Sequence, residues 1–171
     1  MSAYLKFADL MLALAKLLTI VIVAGMLVSV LLGVFFRFVI PMPMAWPPEA
    51  ARFLMVAVTM IGASVAIRHL DHVGITLLVD ILPVKVRGII FLIGNVMVAV
   101  FLIVFIWFSW RLTLEMGPRQ ISSSLGLPMT FAYVSMPIGG VMMLIQLIAA
   151  SIEGWRRAMQ NQSPFVPPSA A

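Results

Sequence analysis

Few residues in this chain could do chemistry, and most of them stand at the edges of long apolar runs. The stretch Trp46-Pro47-Pro48-Glu49-Ala50-Ala51-Arg52 sets an acid and a base three residues apart, a spacing that puts both on one helix face, where they can pair. Glu49 suits the positive end of a helix dipole, Pro47 and Pro48 fit a first turn, and Trp46 fits the headgroup belt of a membrane. Arg37 is a second candidate partner for Glu49. His69 and His72 lie close together on one segment, so they cannot clamp a haem iron from facing helices. Without a cysteine or a histidine elsewhere they make no metal site. Ser122-Ser123-Ser124 beside Gly126 has no histidine or acid nearby and reads as a polar loop, not a nucleophile elbow. Asn95 and Gln146, inside apolar runs, read as interhelical hydrogen-bonding groups. The expectation is therefore no catalytic site, no metal and no cofactor.

The elements that position these residues are set by the oil around them. Of 171 residues, 63% are hydrophobic and 10% charged, well above the roughly 45–50% apolar content of a soluble domain. The absence of cysteine removes disulfides and thiolate sites from consideration. A net charge of +5 comes from lysines and arginines scattered at the ends of apolar runs, not from a basic tract that would suit nucleic acid. They read as topology signals.

Spans are expected at about 14–36, 48–67, 88–110 and 128–152, in one all-α transmembrane domain covering residues 1–160, with a disordered tail over 161–171. Residues 17–36 carry no charge, a run too long for a signal-peptide core of about 7–15 residues, and read as a retained first span. The second uncharged run, 53–67, rises only about 22 Å, short of a hydrocarbon core of about 30 Å. Its helix must therefore include Glu49 and Arg52. Between spans two and three, Arg68, His72, Thr76 and Asp80 recur every fourth residue opposite Ile75, Leu78, Val79 and Leu82. This is the pattern of a short amphipathic helix lying in the interface at about 70–82, ended by Pro83, and it is preferred over an irregular loop.

Placing the N-terminus in the cytoplasm puts Lys6, Lys16, Arg68, Lys85, Arg87, Arg156 and Arg157 inside, against Arg37, Arg52, Arg111 and Arg119 outside. Both termini are then cytoplasmic. Gly25, Ser29 and Gly33 form a face of small residues that lets another helix come close, within the chain or from a partner. Ala132, Met136 and Gly140 form a looser one, and Pro137 is expected to kink the fourth helix. The midplane of all four runs lacks an ionisable group, which argues against a self-sufficient ion or drug carrier. A homodimeric four-helix exporter and an accessory subunit of a respiratory complex remain as alternatives.

Phe36-Arg37-Phe38 closing the first span, Trp46, Glu49 and Arg52 opening the second with Gly62 inside it, Arg68-x-x-x-His72, Val79-Asp80, and Pro83 with Arg87 before the third span come in an order that resembles the small membrane subunit of tripartite ATP-independent periplasmic (TRAP) transporters. The resemblance implies four spans in a bacterial inner membrane and a role beside a large permease that carries the sodium and substrate sites. A periplasmic binding protein would deliver an organic anion, of the dicarboxylate or sialic acid class, and membrane lipids would surround the chain. It also implies that Arg37, Trp46, Glu49, Arg52, Arg111 and Arg119 form the periplasmic rim that meets the binding protein. Gly25, Ser29, Gly33 and Gly62 would pack on the large subunit, and Arg68, His72, Thr76 and Asp80 would belong to the interfacial helix. Pro47 and Pro48 depart from the family, which often has a hydroxyl residue and an acid after the tryptophan, and put any role of that acid in doubt.

Overall fold

The computed structural model describes residues 2–40, 44–69 and 84–159, and these are almost entirely helical. α1 runs Ser2–Phe38, α2 Trp46–His69, α3 Val84–Glu115, α4 is a single turn at Thr130–Tyr133, and α5 runs Ser135–Met159. Four segments are long and apolar enough to cross a membrane, as expected. The interfacial helix proposed for 70–82, with His72, Thr76 and Asp80, and the tail at 161–171 lie outside the described residues.

Prolines mark the helix boundaries. Pro47 and Pro48 occupy the first turn of α2, where a missing N–H costs no hydrogen bond. Pro137 does the same in α5, because the helix breaks at Val134 and starts afresh at Ser135. The expected kink is therefore a break between α4 and α5, with the Val134 amide still donating to the Thr130 carbonyl at 2.9 Å. α3 ends at Glu115, and Gly117 follows where the chain passes under α4. A Cβ there would collide with the Thr113 carbonyl and lie 2.6 Å from Thr130 Oγ1, so only glycine fits.

The spans form an open row, not a closed bundle. α1 packs on α2, α2 on α5 and α5 on α3, while α1 meets α5 more sparingly. α5 is the centre: half of its span is buried, against 6% for that of α1 and 11% for that of α3. Gly139 and Gly140 bring it close to both neighbours. A Cβ on Gly139 would meet Met60 Cβ at 2.6 Å and the Met60 carbonyl carbon at 2.9 Å, and one on Gly140 would meet Ile106 Cγ1 at 2.8 Å. With no hydrophobic drive between helices in lipid, such close approach supplies the dispersion contacts that hold the row.

The small face of the first span is used inside the chain. A Cβ on Gly33 would lie 3.4 Å from Pro47 Cβ, one on Gly25 3.6 Å from Leu54 Cδ1, and one on Gly62 4.0 Å from Thr19 Cγ2, while Ser29 is buried. Gly25, Ser29, Gly33 and Gly62 thus lie along the α1–α2 seam. What faces outward is bulky: Ile20, Leu27 and Leu31 on α1, and Met97, Phe101, Trp107 and Phe108 on α3.

Candidate functional site

Polar chemistry collects at the two ends of the row. Between them, the hydroxyls of Thr19, Ser29, Thr59, Ser64, Ser109, Thr113 and Ser151 each donate to a carbonyl one turn back on their own helix, which satisfies the donor of each. Gln146 does bridge helices, its Nε2 donating 2.9 Å to the Ala8 carbonyl. Asn95 does not: its Nδ2 is buried without a partner among the described residues.

At one end, Glu49 projects from the first turn of α2. Its carboxylate accepts the Ser124 amide at 2.8 Å, not the guanidinium of Arg52 or Arg37. The loop it holds is well ordered by its own bonds. Ser122 donates its amide to the Leu127 carbonyl at 2.8 Å, Met129 donates to Gln120 at 2.8 Å, and Gly126 turns the chain with φ 65°, a left-handed conformation that favours glycine. The Ser122 hydroxyl oxygen accepts the Leu125 amide at 3.1 Å, and Tyr133 donates to Gln120 Oε1 at 2.6 Å. The serine run is therefore a structural hairpin between α3 and α4 that rests on Glu49.

The other predicted rim residues share this end but do not converge on one point. Arg37 is exposed, 5.5 Å above the Phe38 ring, and lines a cleft of about 480 Å³ with Ser29, Val34 and Pro48. Trp46 is half-buried, Arg52 and Arg119 are exposed, and Arg111 pairs with Glu115 one turn along α3 at 2.8 Å. Together they present a mostly cationic edge.

The opposite end holds the group that sequence reasoning misplaced. Arg68 is not on the stripe of an interfacial helix; it lies in the last turn of α2, 5% exposed, with Nη2 donating 2.9 Å to Asp9 of α1 and 2.8 Å to Glu153 of α5. Three helices meet on one guanidinium. It sits 22 residues beyond Trp46, about 33 Å along the helix, so the cluster lies at the far interface and not at the midplane. Asp9 breaks an apolar run and Glu153 ends another; an acid in such surroundings needs a partner. That was the available signal, but no pattern in sequence links positions 59 and 85 residues apart to Arg68.

Among the described residues no three of His, Cys, Asp or Glu gather as metal ligands. Residues 26–157 match the family described as "Tripartite ATP-independent periplasmic transporters, DctQ component". The chain belongs to the DctQ family. As a DctQ component it is a small permease subunit and a multi-pass membrane protein. It is 30% identical over 74% of its length to the sialic acid TRAP transporter permease protein SiaT of Haemophilus influenzae, of which that match covers 20%. It is 24% identical over 81% of its length to the ectoine TRAP transporter small permease protein TeaB of Halomonas elongata, covering 74% of that protein. Against the sialic acid TRAP transporter small permease protein SiaQ of Vibrio cholerae the identity is 26% over 77% of this chain and 75% of the relative. The chain thus spans a fifth of one relative and about three quarters of the other two.

Proposed function

We propose that this DctQ subunit is the helical support of a sodium-coupled, binding-protein-dependent transporter for an organic anion of the dicarboxylate or sialic acid class. It stands beside a large permease in a bacterial inner membrane, with both termini in the cytoplasm, and it is not an enzyme. The observation that carries this reading is the split between a midplane without ionisable groups and large apolar outer faces on α1 and α3. Such a midplane is poorly suited to moving ions by itself, whereas exposed bulky faces on the two outermost helices of the row suit a partner in the membrane. The match over a fifth of the longer SiaT permease supports a partner built of many more helices. Relatives of similar identity carry names that mention sialic acid, ectoine and isethionate, which fits a subunit that does not itself select the solute.

At the Trp46 end, Arg37, Arg52, Arg111 and Arg119 with Trp46 and Glu49 form the periplasmic rim that meets the binding protein. The hairpin on Glu49 gives that rim a fixed shape. The test is uptake in proteoliposomes containing this chain alone, with the large permease, and with both the permease and the binding protein. Sodium-driven uptake is expected only with all three present. Uptake by this chain alone overturns the proposal.

A further inference from the structure

A groove of about 350 Å³ opens between α3 and α5, its wall formed by Leu92, Asn95 and Ala99 on one side and Ile148, Trp155 and Arg156 on the other. It is almost wholly apolar, and its exceptions have a pattern. Arg156 and Trp155 stand at one end. They lie just beyond Glu153, whose pairing with Arg68 marks the interface, so the groove opens at headgroup depth and runs about 13 Å inward to the level of Leu147. Arg156 is exposed and has no ion-pair partner among the described residues. Asn95 lies along the wall, and its buried Nδ2 has no partner among the described residues.

We propose that this groove is a binding site for an anionic glycerophospholipid. One acyl chain fills the crease, the phosphate pairs with Arg156, Trp155 sits at headgroup level, and an ester carbonyl accepts from Asn95. An arginine and an indole beside an apolar slot are the two groups that anchor protein to a charged bilayer surface. The crease runs between α3 and α5, which touch at Leu102, Met143 and Leu147, and its volume of about 350 Å³ suits a hydrocarbon chain, whereas a partner helix is about 10 Å across. Its charged lining is cationic, which complements a phosphate.

The test is native mass spectrometry of the full chain with dioleoylphosphatidylglycerol or dioleoylphosphatidylcholine added. Preferential retention of the anionic phosphatidylglycerol is expected. Arg156→Gln should weaken it about fivefold and Asn95→Leu about threefold, while Arg156→Lys and Arg111→Gln, the latter at the opposite end, should leave it unchanged. Equal retention of both lipids, indifferent to Arg156, overturns the site. So does a second result: because the chain has no cysteine, Ile148→Cys can be cross-linked alone in the complex with the large permease. A cross-link to that subunit with loss of the lipid means that protein fills the groove. Both measurements are read without transport, so they fail or succeed independently of the uptake assay.

Discussion

The two polar ends of the row use charge in opposite ways. At the Arg68 end one guanidinium is withdrawn from solvent and shared by carboxylates from two other helices. At the Trp46 end the one acid of the first turn of α2 is spent on a backbone amide, while Arg37, Arg52 and Arg119 remain exposed. Burying a charge is costly unless it is paired, and a buried pair ties its elements together because neither partner can leave alone. An exposed charge binds nothing firmly in its own chain but shapes the field that an incoming protein meets. One end therefore clamps the helices, and the other presents them.

The sharpest way to break the comparison is Arg68→Met. It deserts two carboxylates at once and should cost about 3 kcal/mol, the lower end expected for losing one member of a buried ion pair, because Asp9 is 60% exposed and can rehydrate. Glu153, at 25% exposure, is the stronger arm. Glu153→Gln should cost about 1–2 kcal/mol and Asp9→Asn under about 1 kcal/mol. Unfolding by sodium dodecyl sulfate in mixed micelles measures the series, and equal losses for the two acids would refute the ranking.

This end also marks where sequence reasoning stopped. The four spans were legible because apolar runs must cross oil as helices, and the borrowed length of α2 followed from arithmetic on 15 residues. The break at Val134 was legible only as a kink at Pro137, since a proline tolerated in a first turn and one that bends a helix look alike until the start of the helix is known. Arg68 was assigned to the stripe with His72 and Thr76 because a period of four continues smoothly through it, yet the last turn of α2 claims it first. The small residues Gly25, Ser29, Gly33 and Gly62 were recognised as a packing surface, but a small face carries no label for its partner. Glu49 was placed correctly at a helix start and paired wrongly: the hairpin amide that it accepts comes from 75 residues away.

Glu49→Gln sharpens the contrast from the other side. Its loss should be local, because the hairpin is held mainly by its own bonds and Glu49 adds one charge-assisted acceptor. Hydrogen exchange at the Ser124 amide should quicken several-fold while amides in α5 keep their protection and the unfolding midpoint stays near wild type. Loss of protection along α5 would mean that the hairpin supports the row instead of resting on it.

The smallest effect on stability should accompany the most specific effect on function. Arg52→Ala and Arg119→Ala remove exposed charges without hydrogen-bonded partners in the described structure, so the unfolding midpoint should not move. If this end presents charge to the binding protein, the double variant should slow association several-fold at low salt, with little change in the rate of dissociation. The deficit should shrink above about 0.15 M ionic strength, where the screening length is about 8 Å. Stopped-flow association at several salt concentrations separates the possibilities. A deficit that persists at high salt would point to a direct contact at one arginine, and no deficit at any salt would leave the exposed arginines as anchors of helix depth alone.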